Sequence, residues 1–66
     1  MIYYQINVSL NGIHFFETDK YSITNKTTME NVYKVFKEKF PAEEGYDILV
    51  WDMTGKFIDM NYMEQN

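Results

Sequence analysis

His14 is the only histidine in this 66-residue chain, and the chain has no cysteine. Transition-metal sites need convergent imidazole or thiolate ligands, so a single histidine just past a turn signal reads as an exposed strand-end residue. Ser9 and Ser22 carry no surrounding motif that would supply a base or an oxyanion hole. A non-enzymatic protein with no metal and no cofactor is expected. The remaining polar chemistry lies in carboxylates. Beyond residue 40 stand Glu43, Glu44, Asp47, Asp52, Asp59 and Glu64 against Lys56 alone, whereas residues 1–40 carry four acids and five lysines. Such polarity fits docking on a basic groove, including imitation of nucleic-acid phosphates. The plainer alternative is solvating charge of the kind any small domain needs. No Asp-x-Asp-x-Asp-Gly loop accompanies the acids, so a calcium or magnesium site is not implied.

Aromatic side chains form a second candidate surface. If Tyr4 and Phe15 point beneath a helix, Tyr3 and Phe16 lie on the opposite, open face of a sheet. Trp51 joins them if Ile48 and Val50 point inward; the reverse phase buries it. Tyr and Trp on an uncovered face are good anchors for a protein partner. They can equally complete a thin core or a dimer seam. The residues expected to meet a partner are therefore Glu43, Glu44, Asp47, Trp51, Asp52, Asp59, Tyr3 and Phe16.

Composition narrows the partner. A net charge of −4, with every base a lysine, argues against a nucleic-acid backbone or an anionic membrane. Bidentate guanidinium recognition is absent as well. A domain of about 60 residues buries only about 60% of the surface its unfolded chain exposes, which leaves no room for a deep cleft. No charged-then-apolar leader, long apolar run or lipidation motif is seen, so a soluble, cytoplasmic protein is expected.

The elements that must position these residues follow from pattern. Strict alternation over 2–10 predicts a half-buried strand with Ile2, Tyr4, Ile6, Val8 and Leu10 on one face. Asn11-Gly12 then predicts a two-residue type I′ turn, because both positions accept positive φ. A second strand is predicted from 13 to about 23, but an unbroken register would turn Glu17 and Asp19 toward the core. A bulge near Phe15-Phe16 is expected to reset the alternation. Thr27-Thr28-Met29-Glu30 fits a capping box, and Met29, Val32, Tyr33, Phe36 and Phe40 form the apolar stripe of a helix that Pro41 ends. After a polar connection over 41–45, a strand over 46–51, a turn at Asp52-Met53-Thr54-Gly55 and a last strand from 56 to about 62 complete one domain, with a frayed tail near 63–66.

The order hairpin, helix, hairpin predicts an α+β fold, ββαββ, with one helix packed on one face of a four-stranded sheet. This order resembles the β-grasp of ubiquitin-like domains, which implies that the first and last strands lie side by side and parallel. Ubiquitin-like and sulfur-carrier members act through a C-terminal glycine pair, whereas this chain ends Met63-Glu64-Gln65-Asn66. Conjugation and sulfur transfer are therefore not implied.

Abundant Phe, Tyr, Met, Ile, Asn and Lys beside scarce Ala, Gly and Pro are the product of AT-rich codons. Over the whole chain this composition resembles small acidic accessory and inhibitor proteins of AT-rich bacteriophages, low-GC bacteria and their mobile elements. The resemblance implies a monomer or homodimer in a bacterial host cell that binds a host protein, such as a defence nuclease, polymerase, nucleoid protein or toxin, and inhibits or redirects it. The alternatives are a homodimeric assembly module and, third, a nucleic-acid-binding domain.

Overall fold

The alternating N-terminal segment forms strand β1 (Tyr4–Leu10), whose inward residues Ile6 and Val8 are wholly buried. A computed structural model of the chain describes residues 2–64. Asn11 and Gly12 take positive φ, 52° and 83°, and turn the chain into β2 (Ile13–Glu17) as expected for a type I′ connection. Leu10 pairs with Ile13 and Ser9 with His14, but Val8 pairs with Phe16. Phe15 is thus the extra residue of the expected bulge.

The bulge decides which face each side chain of β2 occupies. Glu17 moves opposite Asn7, away from the helix, and accepts a hydrogen bond from Gln5 Nε2 at 2.7 Å. Phe16 moves the other way: its ring packs on Phe36 and Phe40 at 5.6 and 5.3 Å between centroids. Placing Phe16 on the open face is therefore corrected. β2 is also shorter than its predicted span. Thr18 closes it, donating its N–H to Ile6 O and accepting the Ile6 N–H on its hydroxyl, and only Ile23 returns to the sheet, as a single bridge to Tyr4.

Helix α1 (Lys26–Lys39) is capped by Asn25, whose side-chain oxygen accepts the Thr28 N–H at 2.8 Å. The capping box expected at Thr27 and Glu30 does not form. Asn25 precedes it with extended backbone, and the Glu30 carboxylate is taken by the Tyr62 hydroxyl at 2.7 Å. Met29 and Tyr33 are buried, and Val32 and Phe36 pack beside them, so the apolar stripe faces the sheet as expected. The helix stops at Lys39 before Pro41; a 3₁₀ turn (Ala42–Glu44) and Gly45 follow.

Strand β3 (Tyr46–Asp52) pairs antiparallel with β1, and β4 (Phe57–Ile58) pairs antiparallel with β3. The sheet order is β2-β1-β3-β4. The ββαββ order and the single helix on a four-stranded sheet are as predicted, but the parallel contact of first and last strands is not. β4 is two residues long because Asp59 turns the chain, accepting the Asn61 N–H at 3.0 Å to start a 3₁₀ turn (Asn61–Glu64). The longer strand of the final hairpin occupies the central place beside β1, where Val50 is wholly buried. Ile6, Ile23, Met29, Tyr33, Val50 and Met60 form the core, with Met63 packed against it. Met63 therefore does not belong to a frayed tail; residues 65–66 lie outside the described residues.

Candidate interaction surface

The helix covers one face of the sheet, and the other face carries the alternate residues of every strand. Because Ile48 and Val50 point toward the helix, Leu49 and Trp51 point away, and the open phase of Trp51 is the one realised. Trp51 lies opposite Phe57, their rings meeting edge-on at 5.7 Å. At the same end of the sheet Tyr3 meets Tyr21 at 5.1 Å, and the Lys20 ammonium stands 5.9 and 5.5 Å from these two rings. Tyr21, Phe57 and Met53 are 56%, 47% and 42% exposed. This is an aromatic end of an uncovered face, where Trp51 and Phe57 are held by cross-strand pairing and Tyr21 is brought in by the irregular segment after β2.

Of the residues expected to meet a partner, Tyr3 and Trp51 belong to this end, and Phe16 lies under the helix. Tyr21 and Phe57 were not among them. The Trp51–Phe57 pairing follows from counting back across the Asp52–Lys56 turn, whereas Tyr21 sits in an irregular segment that carries no pattern.

The acids do not gather into one face. Glu43 and Glu44 are exposed on the 3₁₀ turn at one end of the sheet, where the Asn11 N–H donates to Gly45 O at 2.8 Å. Asp47 opens β3 near them, and Asp59 lines the same groove as Asp47. Asp52 lies five residues along β3, roughly 17 Å away at about 3.3 Å per residue. Its carboxylate is occupied by structure: Oδ1 accepts the Thr54 hydroxyl at 2.6 Å and the N–H groups of Thr54 and Lys56 at 2.8 and 3.0 Å. At the opposite edge, His14 Nε2 stands 3.5 Å from Glu17 Oε1. Among the described residues no three His, Cys, Asp or Glu side chains converge as a metal site, and no helix is long and apolar enough to cross a membrane.

The Thr54 hydroxyl bond, aided by the Lys56 and Thr54 amides and opposed by partial desolvation, holds the Asp52 carboxyl below its ordinary value of 3.8. A depressed folded-state pKa stabilises the fold above the ordinary value, and that contribution is lost as the pH falls through the lower one. The Asp52 carboxyl resonance is expected to titrate below 3.8. Asp52→Ala should lower the neutral-pH melting temperature and flatten its decline in acid. Titration at or above the ordinary value would contradict the turn's role.

No protein-family model matches this chain, and neither a curated protein nor a solved structure does. Its functional reading therefore rests on the surface just described.

Proposed function

We propose that the chain is a small protein-binding module without chemistry of its own, which docks on a host protein through its uncovered sheet face and inhibits or redirects it. The observation that carries this reading is the pairing of Trp51 with Phe57 and of Tyr3 with Tyr21 at one end of that face. Rigid aromatic anchors lose little entropy on binding and dominate contact energies. Exposed acids elsewhere on the molecule, Glu43, Glu44 and Asp47 among them, favour a partner with a basic surface and speed its approach. Asp52 and Asp59, engaged in turns, contribute charge but little freedom to imitate a phosphate backbone. The AT-rich codon composition supports a bacteriophage or mobile-element origin and a bacterial host cell as the setting.

The test is affinity capture of the tagged chain from a bacterial lysate, with the retained proteins identified by mass spectrometry. Capture of one protein that weakens at higher salt and with Glu43→Lys/Glu44→Lys/Asp47→Lys, at unchanged melting temperature, is the expected outcome. Capture unaffected by the reversal would remove the acidic contribution. A homodimer is a second reading, favoured by Ile13 and Phe15 on β2, which are 74% and 53% exposed. A strict monomer by light scattering at high protein concentration would remove it.

A further inference from the structure

Since β4 stops after two residues, β3 has a strand along only part of its outer edge. Register parity shows which peptide groups this leaves over. On β1, Tyr4 N–H donates to Ile23 O and Ile6 O accepts from Thr18, both on the β2 side, whereas Asn11 N–H donates toward Gly45 O. In an antiparallel ladder, pairs that exchange hydrogen bonds alternate with pairs that exchange none. Odd-numbered residues of β1 therefore bond odd-numbered residues of β3, and the even-numbered residues of β3 turn their peptide groups outward. Val50 meets Ile58 there, and Asp52 N–H donates to Lys56 O. Tyr46 and Ile48 face no strand, and among the described residues no backbone partner meets their outward N–H and C=O groups.

This free stretch opens on a groove of about 300 Å³. Its lining includes Ile48, Ile58 and Met60, with Asp47 and Asp59, and Lys37 on the helix. We infer that the edge takes up an extended peptide of alternating apolar and basic residues as an added antiparallel strand beside Tyr46 and Ile48. The inference rests on the protein-binding reading and adds to it a mode of contact at the end of β3 remote from Trp51. Paired residues of an antiparallel ladder put their side chains on the same face. A residue opposite Ile48 therefore points to the helix side, where Ile58 and Met60 offer an apolar wall. Its neighbours point to the other face, on which Asp47 stands, and Glu43 and Glu44 on the preceding turn add to the negative field. Main-chain bonds would supply affinity, and the alternation specificity. The opposite edge of the sheet is less suited, because the bulge at Phe15 breaks the spacing of β2.

The probe is an acetylated and amidated Lys-Val-Lys-Val-Lys peptide titrated into the isotope-labelled full chain and followed by amide chemical shifts and hydrogen exchange. Both valines place their N–H groups toward the edge and the lysines place theirs away. Binding is expected to shift the Tyr46 and Ile48 amides and slow their exchange. N-methylation of the two valines should weaken it by at least about tenfold, while N-methylation of the lysines leaves it unchanged. Replacing the lysines by glutamate should abolish binding, and the exposed Asp47→Lys variant should reverse that preference. Equal affinity of the two methylated peptides, or shifts confined to the Trp51 and Tyr3 end, would overturn the inference. Binding of the probe at this edge with no protein captured from lysate would uphold the mode and remove the functional reading. A captured partner that leaves the Tyr46 and Ile48 amides unprotected would do the reverse.

Discussion

Met29→Asp is expected to yield a chain that no longer melts cooperatively at neutral pH. Met29 is 1% exposed and lies among Ile6, Tyr33 and Val50, and among the described residues no charged side chain is buried. Substitution removes a side chain whose loss alone costs about 2 kcal/mol or more and puts an unpaired carboxylate in its place. A total above about 4 kcal/mol is the expected scale for such a change. A domain of this size has roughly 3 to 10 kcal/mol to lose. Met29→Leu, which keeps volume and polarity, should cost less than about 1.5 kcal/mol and shows that position, not mere substitution, is responsible. Circular dichroism melts of the two variants decide the matter. A cooperative transition retained by Met29→Asp would mean that the helix buries a different stripe.

Gly45→Ala should destabilise the fold by about 1–3 kcal/mol, a drop of roughly 5 to 20 degrees in melting temperature for a domain this small. Gly45 holds φ at 97°, where an L side chain is strained, and its carbonyl accepts the Asn11 N–H that links the first hairpin turn to the start of β3. A Cβ there would also overlap the side-chain amide of Asn11. The two causes separate in a double-mutant cycle. Asn11→Gly keeps the positive φ that the turn needs and removes the obstructing amide, so Gly45→Ala should cost less in that background. An equal cost in both backgrounds assigns the whole effect to backbone strain, and no cost in either would contradict the left-handed geometry.

Where pattern is local, the fold can be read from the chain. Alternation before Asn11-Gly12, the misfit of Glu17 and Asp19 that demands a bulge, the helix stripe ending before Pro41 and the Gly55 turn all act within a few residues, and each has its predicted counterpart. The departures arise where distant groups compete. Asn25, two residues ahead of the expected cap, takes the Thr28 amide, and the Tyr62 hydroxyl, far along the chain, takes the Glu30 carboxylate. Asp59 reads as a strand residue until its carboxylate is seen holding the Asn61 amide, and β3 rather than the short last strand lies beside β1. Phe16 changes faces by the one residue that the bulge inserts. Trp51 could be assigned only as a choice between two phases, and the burial of Val50 settles that choice. Charge excess told nothing of position, since turn formation claims Asp52 and distance separates it from Glu43 and Glu44.

The central claim is that the aromatic end of the uncovered sheet face anchors a protein partner. It is tested most directly by measuring, by calorimetry, the affinity of the protein captured from lysate for the native chain and for Tyr3→Ala/Trp51→Ala. Both side chains lie outside the buried core, so the double variant is expected to keep a cooperative melt. The account predicts a loss of at least about 2 kcal/mol, roughly 30-fold in dissociation constant. An affinity unchanged by the double substitution would contradict it.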